Sequence, residues 1–78
     1  MRKGSAYMEN KFPKRLRALR KKRGYTQQQL GEKVYLSGAS IGTYERGRYE
    51  PSVASLINLA SVLGCTVDYL IGKEETGQ

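Results

Sequence analysis

Apolar residues recur three or four positions apart in five successive stretches of this chain, which is the spacing of one buried face of an α-helix. Phe12, Leu16 and Leu19 share such a face early in the chain. The spacing returns four more times, and it predicts helices at residues 13–23, 27–35, 38–46, 53–63 and 66–72. The pattern therefore predicts an all-α fold in which five short helices surround one core.

Residues that favour helix ends stand at the limits of the predicted helices. Thr26, followed three positions later by Gln29, has the form of a capping box. Ser37, Ser52 and Thr66 are candidate N-caps, because their short side-chain oxygens can accept a free backbone N–H. Glycines stand at positions 24, 47, 64 and 72, where they can end a helix. These signals separate the five helices.

The stretch 26–45, TQQQLGEKVYLSGASIGTYE, places two short helices on either side of a tight bend. Their facing sides carry Leu30 and Val34 on the first helix and Ile41 and Tyr44 on the second. Gly31 has no side chain, so the second helix can approach closely, which offsets a mid-helix cost of about 1 kcal/mol relative to alanine. Two helices joined in this way form a helix-turn-helix, whose second helix is built to lie in the DNA major groove.

The chain resembles the phage repressor and Cro-like helix-turn-helix regulators over most of its length. The resemblance rests on Gln27, Gly31, Ile41 and the segments YERGR (44–48), PS (51–52) and LGCTVDYL (63–70). Its internal spacing is fixed over that length, which makes it far more specific than a match over one bend. It implies a compact five-helix domain of the lambda-repressor type at 12–72, after a flexible basic tail at 1–11 and before a frayed end at 73–78.

The resemblance also implies which residues of the second helix would meet the edges of DNA bases. They are Gly38, Ala39, Ser40, Gly42 and Thr43. All are small, and none is the arginine, asparagine or glutamine that makes the strongest base contacts. We expect modest direct readout from Ser40 and Thr43, with DNA shape, water and phosphate contacts carrying more of the specificity. For the glycines and Ala39, a flexible solvent-facing surface is the open alternative.

Five further residues are candidate contacts to DNA phosphates: Gln27, Gln28, Ser37, Arg48 and Tyr49. The two glutamines open the first helix of the motif, where free N–H groups attract anions. Arg48 and Tyr49 lie in the loop after the second helix and would hold the DNA backbone on the other side of the groove. An ordinary solvated first turn remains the alternative for the glutamines, and packing over the loop remains the alternative for Tyr49.

Two further features concern the geometry of the motif. The resemblance implies a partly buried ion pair between Arg20 and Glu45, which would hold the first helix of the chain to the second helix of the motif. Tyr35 stands where the family usually has glycine, because the backbone there tends to be left-handed. A tyrosine in that conformation costs about 1–2 kcal/mol, so either the strain is accepted or the bend is built differently.

Positive charge is concentrated at the N-terminal end. The net charge is +7, and residues 1–23 hold ten of the 14 Lys and Arg but one of the seven acidic residues. Such a field suits a polyanion: DNA is one candidate partner, and an anionic membrane surface is another. Solubility alone is a third interpretation.

The residue types that carry most enzyme and metal chemistry are missing or scattered. Cys65 is the single cysteine and there is no histidine, which excludes an intrachain disulfide and Cys/His metal sites. No apolar run approaches about 18 residues and the N-terminus lacks a signal-peptide core, so we expect no membrane span and a location in the reducing cytoplasm, on the nucleoid. With no Gly-rich phosphate loop and no catalytic set, we expect no enzyme activity and no cofactor.

Together these features favour a small transcriptional regulator, a repressor that binds a specific sequence of double-stranded DNA. We expect a homodimer on a pseudo-palindromic operator, because a lone domain has few contacts for tight specific binding. A face containing Val67, Tyr69 or Ile71 is the candidate dimer contact. The alternative is a protein-interaction module, an adaptor or antitoxin-like partner that uses the same fold to bind another protein.

Overall fold

The structure is a computed structural model, and it describes residues 11–73. Within that range the chain forms five helices and no strand: α1 (Lys11–Lys22), α2 (Gln27–Lys33), α3 (Gly38–Glu45), α4 (Val53–Leu63) and α5 (Val67–Ile71). The predicted all-α architecture of five helices is confirmed for these residues. Residues 1–10 of the tail expected at 1–11, and residues 74–78 of the frayed end expected at 73–78, lie outside the described residues.

Two helix boundaries differ from the predicted ones by two residues, for identifiable reasons, and the others agree to within one residue. Lys11, expected in the tail, lies in α1, and Pro13 is therefore the third residue of the helix. Proline is tolerated there because the first four N–H groups of a helix have no intrahelical acceptor. α2 ends at Lys33 because Tyr35 turns into the left-handed region, with φ 62°. Of the two alternatives for the bend, the chain adopts the strained one.

Side chains cap the N-termini of four helices, as the sequence predicts. The Gln29 N–H donates to Thr26 Oγ1 at 3.0 Å, and the Thr26 N–H donates to Gln29 Oε1 at 2.9 Å. Ser37, Ser52 and Thr66 each accept the N–H of the residue three positions on. Each cap contributes about 1 kcal/mol to stability, so together they matter in a domain with a small core.

The core is built from apolar side chains of all five helices. Its large, fully buried members are Phe12, Leu16, Leu30, Ile41, Leu59, Leu63 and Leu70. The rings of Phe12 and Tyr44 meet edge to face with centroids 6.1 Å apart, a geometry that adds about 0.5–1.5 kcal/mol to the area term. Cys65 is partly buried against this cluster. The core thus joins α1 to the inner side of α3.

The apolar face expected on α5 is largely covered. Ile71 is buried, so the prediction that it is an exposed dimer contact is wrong. Val67 and Tyr69 are partly buried. Arg15 covers Tyr69, since its guanidinium carbon lies 4.0 Å from the ring centroid and its Nη1 donates to the Tyr69 carbonyl at 2.6 Å. The large apolar side chains exposed within residues 11–73 are instead Tyr35, Tyr49, Val53 and Ile57.

Gly31 allows the close approach of α2 to the turn that the sequence predicts. A Cβ at this position would lie 2.7 Å from the Leu36 carbonyl oxygen and 2.9 Å from that of Ser37. The Gly31 carbonyl accepts the Leu36 N–H at 2.8 Å. Because the turn backbone rests directly on α2, the direction in which α3 leaves the turn is fixed.

Candidate nucleic-acid interface

The outer side of α3 faces away from the core. Ile41 and Tyr44 are buried on its inner side, whereas Ala39 is exposed and Ser40 and Thr43 are partly exposed. Three of the five predicted base-reading residues therefore lie on the accessible side of this helix. The spacing of Ala39 and Thr43, four residues apart, makes them one stripe along the surface.

Internal hydrogen bonds orient the hydroxyl groups on this surface. Thr43 Oγ1 donates to the Ala39 carbonyl at 2.9 Å, so the Thr43 hydroxyl hydrogen is used inside the helix. The oxygen can still accept a hydrogen bond, and the methyl group can make apolar contact. Ser37 Oγ accepts the Ser40 N–H at 3.0 Å and lies 3.1 Å from Ser40 Oγ. The two serines thus form a local pair at the start of α3.

Gly42 and Gly38 lie close against neighbouring groups, although Gly38 is partly exposed, as Ser40 and Thr43 are. Gly42 is buried, and a Cβ there would lie 3.3 Å from Gln27 Oε1 and 3.2 Å from Arg46 Nη1. Gly38 packs on α2, since its Cβ would lie 3.0 Å from the Cα of Gln28. Both glycines therefore make room for neighbouring groups, a role that their position in the sequence did not indicate.

A buried network fixes α3 to α1 and to the start of α2. Arg20 Nε donates to Glu45 Oε2 at 2.6 Å and Arg20 Nη2 donates to Glu45 Oε1 at 3.1 Å, so the expected ion pair is present and bidentate. Gln27 Nε2 donates to the same Oε1 at 3.2 Å, and Arg20 Nη1 donates to the Tyr25 carbonyl at 2.8 Å. The orientation of the Gln27 amide is thereby set by the ion pair.

An open cleft brings together five of the predicted contact residues. It has a volume of about 420 Å³ and lies where α2 and α3 begin, lined by Gln27, Gln28, Glu32, Leu36, Ser37, Gly38 and Ala39. The candidate phosphate contacts of α2 thus adjoin the first residues of α3. The Glu32 carboxylate also borders the cleft and limits how close an anion can come to that end.

Arg48 and Tyr49 lie apart from the cleft, in the loop between α3 and α4. Both are exposed, and the Tyr49 side chain is 71% accessible. The alternative that Tyr49 packs over the loop is therefore wrong. The loop leads into the 11-residue helix α4, whose first turn is capped by Ser52.

Basic residues of α1 and of the turn that follows it have structural contacts of their own. Besides the Arg15 contact with Tyr69 and the Arg20 pair, the Arg23 guanidinium fills the space beside Gly64, the C-cap of α4. A cation is favourable at the C-terminal end of a helix. Part of the positive charge in α1 therefore ties the helices together.

No helix among residues 11–73 has the length and apolar character to cross a bilayer. Over the same range no group of three or more potential metal-ligating side chains is present.

Two helices packed across a tight turn, with the second exposed along its outer side, define a helix-turn-helix protein. The helix-turn-helix family model matches residues 16–70, and the chain belongs to that family. The resemblance inferred from the motifs is thus confirmed.

Named relatives and a solved structure support the same class. The chain is 35% identical over 65 residues to the HTH-type transcriptional regulator ImmR of Bacillus subtilis (strain 168), covering 83% of this chain and 51% of ImmR. It is 43% identical over 60 residues to the immunity repressor protein of Bacillus phage phi105, covering 77% of this chain and 42% of that protein. The chain spans about half the length of these curated relatives.

The solved structure is that of the P22 c2 repressor protein in complex with synthetic operator 9T. It matches with a TM-score of 0.78 and 36% sequence identity, covering 81% of this chain and 96% of that chain. The five-helix domain described above therefore has the fold of a repressor protein solved with a synthetic operator.

Proposed function

We propose that this chain binds a specific sequence of double-stranded DNA through α3 and acts as a transcriptional repressor. The observation that carries the proposal is the placement of α3, which exposes Ala39 and Thr43 while the Arg20–Glu45 pair holds it to α1. Similarity to a repressor solved with a synthetic operator supports this mode of docking. In that mode α3 lies in the major groove, where each base pair has a distinct pattern of donors and acceptors.

The hydrogen bonds of α3 suggest what its side chains can read. Thr43 offers an acceptor oxygen and a methyl group, because its hydroxyl hydrogen is donated to the Ala39 carbonyl at 2.9 Å. An amino group of adenine or cytosine suits the oxygen, and a thymine methyl suits the methyl group of Thr43 or of Ala39.

Contacts to phosphates would come from both sides of the groove. Gln27, Gln28 and Ser37 adjoin the cleft at the start of α2 and α3, and Arg48 and Tyr49 are exposed beyond the end of α3. Such contacts fix the position of the helix and carry no sequence information themselves. They also make binding depend on salt. The slope of log affinity against log salt concentration is about −0.9 for each phosphate neutralised.

We further propose that two copies bind one operator, with half-sites about 34 Å apart. A single domain of this size gives few base contacts, and a second copy doubles them on one DNA site. Sedimentation velocity with a duplex that carries two half-sites is expected to show two chains per duplex. A strict monomer both alone and on that duplex would contradict the dimer.

Selection of bound duplexes from a random pool tests the DNA-binding function itself. We expect enrichment of one sequence and a steep loss of affinity with added salt, while preference for that sequence over random duplex remains. A protein-interaction module would instead enrich no sequence and show shallow, non-specific binding.

A further inference from the structure

Arg46, the C-cap residue of α3, extends back along the outer face of that helix. Its Nη1 lies 3.2 Å from the position a Cβ would take on Gly42. Its Nη2 donates to Thr43 Oγ1 over 3.4 Å, a long hydrogen bond. Both contacts lie one turn toward the N-terminus, the direction in which helical side chains lean. The guanidinium therefore sits beside Thr43 and level with the predicted base-reading residues.

Gly42 makes this placement possible. A Cβ on Gly42 would be 3.2 Å from Arg46 Nη1 and 3.3–3.4 Å from the two terminal atoms of Gln27, tighter than ordinary van der Waals contact. Any larger residue would push the ends of both side chains away from the helix. Because Gly42 has no side chain, the Arg46 guanidinium and the Gln27 amide can both lie close to its Cα.

The surroundings of Arg46 leave its side chain accessible. The neighbouring carboxylate, Glu45, is nearly buried and is engaged by Arg20 and Gln27. Arg46 itself is exposed, and the bond to Thr43 uses one of the five N–H donors of a guanidinium. The planar group is therefore presented to whatever lies against the outer side of α3.

We propose that Arg46 is a specificity-determining residue, and that its guanidinium donates to O6 and N7 of one guanine in each half-site. This inference rests on the DNA-binding function proposed above. The guanidinium fork matches the two acceptors that guanine presents in the major groove, and this pairing is the commonest specific contact between protein and DNA. Arg46 would supply the strong base contact that the small residues of α3 lack, with Thr43 holding the fork in orientation.

The test compares two variants that remove the same charge. Wild type, Arg46→Gln and the control Arg48→Gln are each used to select duplexes from a random pool. The affinity of each protein is then measured for the duplex that the wild-type protein selects, and for duplexes in which one G·C pair of that sequence is replaced. For wild type we expect about a tenfold loss on replacing one particular guanine in each half-site. Arg46→Gln is expected to abolish that preference while preferences at other positions persist. Arg48→Gln should weaken binding to all duplexes alike.

Gly42→Ala provides a second variant that keeps both arginines. Its Cβ displaces the Arg46 guanidinium, so it too is expected to reduce the preference for that guanine. Because Arg46 is exposed, thermal melting should show that Arg46→Gln remains folded.

The outcomes separate this inference from the function on which it rests. A wild type that enriches a sequence, with an Arg46→Gln variant that weakens all duplexes uniformly, would place Arg46 on a phosphate and overturn the inference alone. A wild type that enriches no sequence would overturn the DNA-binding function, and the inference with it.

Discussion

Tyr35 is the residue at which the backbone of the motif is under most strain. Its φ is 62°, the one positive value at a non-glycine residue within 11–73, and its side chain is 88% exposed. The cost of about 1–2 kcal/mol for this conformation is therefore not offset by burial of the ring. The turn persists because the Gly31 carbonyl accepts hydrogen bonds from Leu36 and Val34 at 2.8 Å and 3.1 Å.

Replacing Tyr35 with glycine is expected to raise the free energy of unfolding by roughly 1 kcal/mol, since relief of strain exceeds the added entropy of the unfolded chain. Urea denaturation measures the change. Tyr35→Ala is the matched control, because it removes the ring but keeps the Cβ that causes the strain. Equal gains from glycine and alanine would show that the ring, and not the backbone, is unfavourable.

Glu45 is the residue on which the buried network converges. Glu45→Ala leaves the Arg20 guanidinium, whose side chain is 10% exposed, without its carboxylate, and is expected to lower the free energy of unfolding by about 3–5 kcal/mol. The matched control is Glu32→Ala on the exposed side of α2, for which a change within about 0.5 kcal/mol is expected. Thermal or urea unfolding gives both values, and a similar small loss from each would contradict a structural role for the ion pair.

Gly31 and Gly42 lie in the middle of α2 and α3 and have different neighbours. A Cβ at Gly31 would meet backbone atoms, whereas a Cβ at Gly42 would meet the ends of side chains. Gly31→Ala sets a Cβ 2.7 Å from the Leu36 carbonyl oxygen, a backbone atom. It is expected to destabilise the domain by about 1–3 kcal/mol despite the better helix propensity of alanine. At Gly42 the Cβ meets only the flexible ends of Gln27 and Arg46, so Gly42→Ala should be neutral or stabilising.

Chemical denaturation of the two glycine variants measures this contrast. A stabilising Gly31→Ala substitution would mean that α2 and the turn can separate without cost, and the close approach would then not fix the direction of α3.

Helix ends were readable from the sequence because capping is local chemistry. Thr26 and Gln29 lie only three residues apart, so the start of the helix itself brings their side chains and backbone N–H groups together. The partial burial of Tyr69 could not be predicted from the local pattern, since Arg15, which covers Tyr69, lies 54 residues away. Local pattern therefore predicts the helices well and predicts the surface between distant helices poorly.

Arg46 was missed for a different reason, because it lies only three residues from Thr43 along the chain. The sequence suggested a reading helix made only of small residues, because a C-terminal arginine was not expected to lie level with Thr43. The spacing from Thr43 to Arg46 is three residues, which places them on one face, and this signal together with the bare Gly42 could have indicated the position. The ion pair was foreseen only through the family resemblance.

For binding by the whole molecule, Thr43 is proposed to contact a base and Arg48 a phosphate, so replacing each residue should impair DNA binding in a different way. Thr43→Ala should change the preferred sequence at one position, since Thr43 lies on the outer side of α3. Arg48→Ala should weaken binding to all sequences alike and reduce the slope of log affinity against log salt by about 1. Anisotropy titrations on selected and random duplexes measure both effects. Similar effects of the two variants on specificity would reject these roles.

DNA is proposed to lie against the outer side of α3, and amide chemical-shift mapping with a selected duplex shows where it binds. The largest changes are expected at Ala39, Ser40, Thr43 and Arg46, with smaller changes at Gln27, Gln28 and Arg48. Largest changes centred on α5 or on the exposed Val53 and Ile57 of α4, with α3 unaffected, would contradict it.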